Sequence, residues 1–413
     1  MSNFRFLHCA DLHLDSPLRG LEADPNAPAE DIRGATRQAF RNLVDFAINE
    51  NVDFVVASGD LYDGDWQDWR TGHFLIGQVA RLSNAGIAFI AIRGNHDADS
   101  VITKQLRMPG TISRLLDHRK PETYLLPNLP VAIHGQSFAT RAVTENIALA
   151  YPPPDPERFN IGLLHSSAGE RDGHDTYASC SIDQLRAHGY DYWALGHVHA
   201  REELSRDPWI VFPGNLQGRH INETGPKGAT LVTVAGGRVQ DVSHMAFDTV
   251  RWARITVHLA NDSSEDDALT SIRTALTDAL ENTEGRLLAV RITLTGAGPV
   301  HDLFMRDMGA AQEKIRAEAL AVSEPERIWT EKIVIETSPV TAVTAREFTP
   351  GASGRLIQAL TEMDDDQIND EVLAYANGLL GKVNPLRQAI GGIDVPGVVA
   401  RARALLLGAL ECD

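Results

Sequence analysis

Five short clusters of aspartate, asparagine and histidine hold the chemistry open to this sequence. They are Asp11-X-His13, Gly59-Asp60, Gly94-Asn95-His96-Asp97, His165 and Gly196-His197-Val198-His199. Carboxylate, amide oxygen and imidazole together suit a divalent cation such as Mn²⁺ or Fe²⁺, and the lack of a thiolate in the set argues against a Cys-type zinc site. Singly the clusters say little. Asp-X-His is a common capped turn, Gly-Asp is an ordinary turn pair, and a lone His165 reads as a hydrogen-bonded core histidine. Five in succession, each after an apolar run, point to one metal site. In "YDYWALGHVHARE" (190–202), period-two geometry sends His197 and His199 to one side of a strand end. Gly196 before them lets a ligand or another backbone come close. A two-metal hydrolase needs one carboxylate to bridge ions roughly 3.5–4 Å apart, with enough further ligands to hold both and leave room for water and a phosphate.

Such groups must be placed by the ends of strands. "FRFLHCADLH" (4–13) is a short apolar strand running into polar residues. An amphipathic helix then leads to a strand over Phe54–Ser58 that ends at Gly59-Asp60, and a second helix leads to a strand over Ile87–Ile92 that ends at Gly94. "NIGLLHSSAG", "YDYWALGHVHARE", "WIVFPGNLQGR" and "ATLVTVAGGRV" follow. The near-continuous apolar strands predict sheets covered on both faces, and open α/β sheets place their sites beyond the carboxyl ends of strands. From about residue 250 the pattern is β-α-β-α-β, with one helix over Glu265–Glu281 and another running to about Ala321. The expected organisation is a first domain over 1–249, a small α/β domain over 250–338, a linker over 339–354 and a helical tail over 355–413. The linker is the Pro/Gly/Ser/Thr-rich end of "SPVTAVTAREFTPGASG". The tail puts Leu356, Ile357, Leu360 and Met363 on one face and has a leucine-rich end.

Composition narrows the class. A chain of 413 residues, 43% hydrophobic and 23% charged, is expected to form two or three globular domains. No apolar run approaches the ~20 residues that span a bilayer, and the N-terminus lacks the apolar region of a signal peptide. Three scattered cysteines, Cys9, Cys180 and Cys412, fit a reducing, cytoplasmic setting. With 38 basic and 56 acidic residues the net charge is −18. Affinity for duplex DNA comes from neutralised phosphates, and no basic cluster stands out, so a nucleic-acid substrate would need bound ions or a partner protein to supply much of the attraction.

The five-part motif resembles that of the calcineurin-like metallophosphoesterases. Three longer segments, "GDLYDGDWQDWRTG", "GHDTYASCSIDQL" and "FPGNLQGRHINETGPKGATLVTV", are similar to the SbcD-type DNA repair exonucleases, in their YhaO-like bacterial branch. The resemblance covers the first ~250 residues strongly, the next domain loosely and the tail hardly at all. It implies an αββα sandwich, two mixed sheets flanked by helices, with a small appended α/β domain. By motif, Asp11, His13 and His199 would hold one ion with bridging Asp60, and Asn95, His165 and His197 would hold a second, again with Asp60. Two divalent ions are implied, Mn²⁺ foremost, with Fe²⁺ or Mg²⁺ as alternatives. His96 would assist at the phosphate and protonate the leaving oxygen, with Asp97 orienting it. Asp63 stands where archaeal and eukaryotic relatives carry a histidine linked to positioning DNA, so that role is not carried over. His174, Tyr177 and His220 fall in the YhaO-like segments and would either approach substrate or hydrogen-bond locally; Trp66 and Trp69 would stack on a base or pack beside a helix start.

The function so implied is a two-metal phosphodiesterase acting on DNA, the nuclease subunit of a repair complex. Its partner would be an SbcC-like coiled-coil ATPase, docked through the C-terminal helices; a homodimer is left open and a membrane is not expected. Two other readings stand beside it. One keeps the chemistry and changes the substrate to nucleotides or small phosphodiesters. The other is a mainly structural subunit that bridges DNA ends.

Overall fold

Alternation along short, fully buried strands makes the layers of this protein. The computed structural model describes residues 3–16, 27–63, 69–98, 108–169, 178–324 and 327–339. In chain order the elements begin β1 (Phe4–Cys9), α1 (Ala29–Asn49), β2 (Phe54–Ser58), α2 (Trp69–Asn84), β3 (Ala88–Ile92) and β4 (Arg114–Leu115). There follow β5 (Glu122–Leu125), β6 (Val131–Gly135), β7 (Phe159–His165), α3 (Ile182–His188), β8 (Tyr192–Gly196), β9 (Glu202–Arg206) and β10 (Trp209–Phe212). β11 (Gly228–Ala235) and β12 (Arg238–Ala246) complete two six-stranded sheets, ordered β12-β11-β1-β2-β3-β4 and β5-β6-β7-β8-β10-β9. Parallel strands fill the middle of each, with antiparallel β11 and β12 at one edge of the first and antiparallel β5 and β9 at the two edges of the second.

Every side chain of β2 and β3 is buried, because each strand faces a core on both sides. Leu7, Val55, Ala57, Phe89 and Ala91 point to α1 and α2. Their neighbours Phe6, Phe54, Val56, Ile90 and Ile92 point to the second sheet, meeting Ile133, Ile161, Leu163 and Tyr192. The helices answer with period 3.6: Ile32, Ala35, Ala39, Phe40, Leu43, Val44 and Ala47 form the buried stripe of α1. On the far side, Leu185 of α3 packs with Leu164, Trp193 and Leu195. The layers are thus helix, sheet, sheet, helix, the expected αββα sandwich.

Register then sets the site. Cys9 pairs with Ala57, and Ala57 with Ala91, so β1, β2 and β3 end level with one another; in the second sheet His165 pairs with Gly196. The loops after β1 and β2 continue the parallel ladder through Asp11 N–H to Gly59 O (3.0 Å), His13 N–H to Asp60 O (3.0 Å) and Leu14 N–H to Leu61 O (3.1 Å). Asp11, His13, Asp60 and His197 all have positive φ, at 52°, 40°, 51° and 101°. Non-glycine residues adopt that region at a cost of order 1–3 kcal/mol, and such strain collects at functional sites.

Past β12 come β13 (Val250–His258), α4 (Glu265–Glu281), β14 (Leu287–Ala297), α5 (Pro299–Arg306), α6 (Met308–Val322) and β15 (Ile328–Ser338), with a three-stranded sheet ordered β13-β14-β15. The helix expected to run to about Ala321 is two helices. Asp307 interrupts it with φ −144° and ψ 83°, and its carboxylate caps the second by accepting from Ala310 N–H at 2.9 Å. The described residues divide into two compact units, one within 3–254, 279–291 and 324–331, the other within 255–278, 292–323 and 332–339. In the second unit Ala268, Ile272 and Leu276 of α4 and Ala311, Ile315 and Ala319 of α6 are buried, and Lys314–Glu265 (2.5 Å) and Arg273–Glu318 (2.6 Å) pair the two helices. The expected linker and helical tail lie outside the described residues.

Candidate metal centre

Side chains from both sheets converge where the strands end. Three groups of potential ligand atoms, each within 4.8 Å of one another, form there: Asp11, His13 and His199; His13, Asp60 and His96; and Asp11, Asp60 and His165. Asp60 stands between them, with Oδ2 3.4 Å from His165 Nε2 and 3.7 Å from His13 Nε2. Asn95 Oδ1 is 2.9 Å from the same His165 nitrogen. Asp11 accepts from His197 N–H at 3.0 Å, and His197 and His165 have ring centroids 5.3 Å apart. Asp11, His13, Asp60, Asn95 and His165 are buried, while His96, His197 and His199 are partly exposed at the mouth.

Three glycines make room for this convergence. A Cβ on Gly94 would lie 2.2 Å from Asp60 Oδ1, one on Gly59 2.5 Å from His165 Nδ1, and one on Gly196 2.0 Å from the carbonyl oxygen of Ser58. The glycine that introduces His197 and His199 is there because the two sheets touch backbone to backbone at that point.

The donor atoms fit cations. His165 Nδ1 sits 2.9 Å from Ser58 O, an acceptor, so it carries the hydrogen. In the neutral ring Nε2 is then a bare lone pair facing the oxygens of Asn95 and Asp60. Three electron-pair donors pointed at one another require a proton or a metal. The protein alone answers with a proton: burial pulls the His165 pKa down, yet the Asp60 and Asp11 carboxylates push it up to about 9. Burial would likewise raise Asp60, but the imidazoles of His165, His13 and His96 hold it below the usual carboxylate range. His13 is pushed down to about 4 by burial and by the Arg219 charge. Its Nε2 faces His199 Nε2 at 3.2 Å, two imidazole nitrogens aimed at each other, and its buried Nδ1 lies 3.6 Å from Asp63 Oδ1. Arrangements of this kind are satisfied by divalent ions bound among imidazole and carboxylate groups. The sulfur of Cys9 lies against Val56 O, and that of Cys180 near Ser166.

The expected role of Asp97 is corrected. Its carboxylate accepts from the backbone N–H groups of Leu61 (3.0 Å), Tyr62 (2.9 Å) and Gly94 (3.1 Å), pinning the loops after β2 and β3 together. The partner of His96 is Asp63, with Oδ1 2.7 Å from His96 Nδ1. That carboxylate holds the His96 pKa above its ordinary value against the opposing effect of burial. Asp63 is itself fixed by Ser16 Oγ at 2.5 Å. Sequence reasoning also passed over Glu223, buried and 2.7 Å from His199 Nδ1, and Arg219, whose guanidinium lies 3.5 Å from Asp63 and 3.4 Å from Glu223. The only signal for either was their place in "GRHINETG". His220 is exposed, with Nε2 3.4 Å from Glu223, and Trp69 is half exposed at the start of α2. His174, Tyr177 and Trp66 lie outside the described residues.

Comparison with known proteins identifies the family. Residues 4–201 match the calcineurin-like phosphoesterase family, and residues 252–338 match the middle domain of the metallophosphoesterase YhaO. The chain is 33% identical over 344 residues to the uncharacterized metallophosphoesterase YhaO of Bacillus subtilis, covering 82% of this chain and 83% of that one. It is 29% identical over 277 residues to the DNA double-strand break repair protein Mre11 of Sulfurisphaera tokodaii, covering 63% and 67%. For the corresponding protein of Saccharolobus solfataricus the identity is 27%, covering 50% and 52%. A two-sheet αββα frame, a centre of histidine and carboxylate at its strand ends and a matched middle domain lead to one conclusion: the chain belongs to the calcineurin-like metallophosphoesterases and is similar over 82% of its length to a YhaO member.

Proposed function

We propose that this metallophosphoesterase is a two-metal phosphodiesterase whose substrate is DNA, working as the nuclease subunit of a repair complex with a coiled-coil ATPase. The observation that carries the reading is the junction of Asp11, His13, Asp60, Asn95, His165 and His199 at the ends of strands from two sheets, with Asp60 central. Asp11, His13, His199 and Asp60 would hold one ion, and Asn95, His165, His197 and Asp60 would hold the other. Divalent ions bound there, Mn²⁺ first among the candidates, supply neutralisation of the phosphoryl oxygens and activation of water.

The chain's own residues do the rest. Asp60, held charged by its imidazole neighbours, keeps the two positions together. His96 gives its Nδ1 proton to the hydrogen bond with Asp63, which leaves Nε2 as the atom that hands a proton to the departing oxygen. The hydrogen bond to Asp63 favours the protonated ring that this transfer needs. DNA as the substrate is supported by likeness to proteins named for double-strand break repair. The ATPase partner is supported by the SbcD-like segments and by the chain's net charge of −18, which opposes binding of a polyanion. A nuclease assay in Mn²⁺ on single-stranded, blunt and hairpin DNA, beside a small phosphodiester, tests this reading. Cleavage of the small substrate alone would reject DNA as the substrate.

A further inference from the structure

We propose that Glu223 is the positioning residue for His199, fixing which ring nitrogen that histidine offers to the centre. The inference rests on the reading of the site as a metal centre and assigns a residue outside its ligand set.

His199 differs from the other imidazoles in how it is held. His165 is fully buried, with Nδ1 bonded to the β2 backbone at Ser58. His199 lies past the end of β8, and its side chain is 27% exposed, so it is less enclosed than His165. Its shortest contact is Nδ1 to Glu223 Oε1 at 2.7 Å, well inside the 3.4 Å from the same nitrogen to Arg219 Nη2. A carboxylate accepts, so Nδ1 carries the hydrogen, and Nε2 is the lone pair left to face His13 Nε2 at 3.2 Å and Asp11 Oδ1 at 4.0 Å. A turned ring, or the other tautomer, would put a hydrogen where the ligand atom must be.

Glu223 is built to do this. It is only 6% exposed, and burying a carboxylate costs free energy unless hydrogen bonds offset it. Its second oxygen accepts from Arg219 N–H at 2.7 Å and from Asn215 Nδ2 at 2.9 Å, while Oε1 lies 3.4 Å from Arg219 Nη2. Both oxygens are thus committed as acceptors on opposite sides. Glutamine cannot replace it. With its single acceptor oxygen toward His199, its amide would confront the Asn215 and Arg219 donors. Turned the other way, it would present N–H groups to Nδ1 and force the wrong tautomer. Partners of this kind, one shell behind a metal-bound histidine, are typically worth 10–100-fold in metal affinity.

The experiment compares wild type, Glu223→Gln and Glu223→Asp by three readouts: Mn²⁺ binding by titration, thermal melting, and ¹⁵N-histidine spectra of the metal-free chain with His199 assigned through His199→Gln. Expected are two ions per wild-type chain and about 10–100-fold weaker binding of one ion in Glu223→Gln. The His199 signal should move away from the Nδ1–H tautomer, and Glu223→Asp should restore part of both effects. Equal affinity for both ions in Glu223→Gln, or an unchanged His199 tautomer, would overturn the inference. A wild-type chain that binds no divalent ion would instead overturn the metal reading, and the spectra would still decide whether Glu223 fixes the ring. If Glu223→Gln melts early, the tautomer read below its transition settles the question.

Discussion

Asp60 shares ligand groups with His13, His96, Asp11 and His165, and its replacement tests the centre as a whole. Asp60→Ala is expected to weaken both ions and abolish phosphodiester hydrolysis while the sheets remain folded. Metal analysis with circular dichroism checks it, and two ions retained at near-normal activity would refute the bridging role. His96 is the instructive contrast. Its ligand-type atoms fall in one group with His13 and Asp60, so proximity alone would make it a third imidazole on an ion. Its bond to Asp63 commits Nδ1 and leaves Nε2 open to either role, and the family motif is what assigns it to the phosphate. His96→Asn should therefore keep two ions per chain and lose roughly 10²–10⁴-fold in rate, the usual contribution of a general acid. Loss of one ion would make it a ligand.

At the scale of strands and loops, much was legible because the polar residues sit just where apolar runs stop. The strand over Phe54–Ser58 and the helix over Glu265–Glu281 read directly from periodicity and match their observed bounds. The two-sheet sandwich followed from the family motif rather than from any pattern in the strands. What stayed hidden was pairing between side chains far apart in sequence. Nothing local joins Asp63 to His96 or Glu223 to His199, and "GNHD" invites the reading that Asp97 serves its neighbour when it binds three amides instead. The break at Asp307 was hidden for a different reason, since one aspartate within a helical pattern is as often a solvated side chain as a cap. The glycines yield an element-scale prediction. A methyl on Gly94 has no room beside the Asp60 carboxylate, so Gly94→Ala should displace Asp60, cut activity by at least 10²-fold, the cost expected of even a 1 Å misplacement, and reduce bound metal. Near-normal metal content in that variant would show that the contact yields more easily than its geometry implies.

Taken whole, an acidic chain of net charge −18 is a poor stand-alone binder of a polyanion. The proposed complex resolves this by sharing the grip on DNA with the ATPase, through residues 355 onward and their apolar positions at Leu356, Ile357 and Leu360. Truncation from Gly354 should leave metal content and hydrolysis of a small phosphodiester unchanged, abolish co-purification with a co-expressed partner and slow the processing of long DNA. Equal recovery of partner by full-length and truncated chains would place the docking surface elsewhere.

The level ending of β1, β2 and β3 opposite β7 and β8 has a consequence for the lifetime of the molecule. On the proposed ligand sets, drawn from two sheets, each bound ion would be a rivet through the sandwich. Ions that bind only the folded chain stabilise it by about 2.7 kcal/mol at a hundredfold excess over Kd. A chelator should lower the melting temperature by several degrees, at roughly 2–4 °C per kcal/mol for a domain of this size, and Mn²⁺ should restore it; a melting temperature indifferent to both would mean that the sheets hold without their rivets. A cell short of metal would then lose this protein to its proteases, as well as losing its activity.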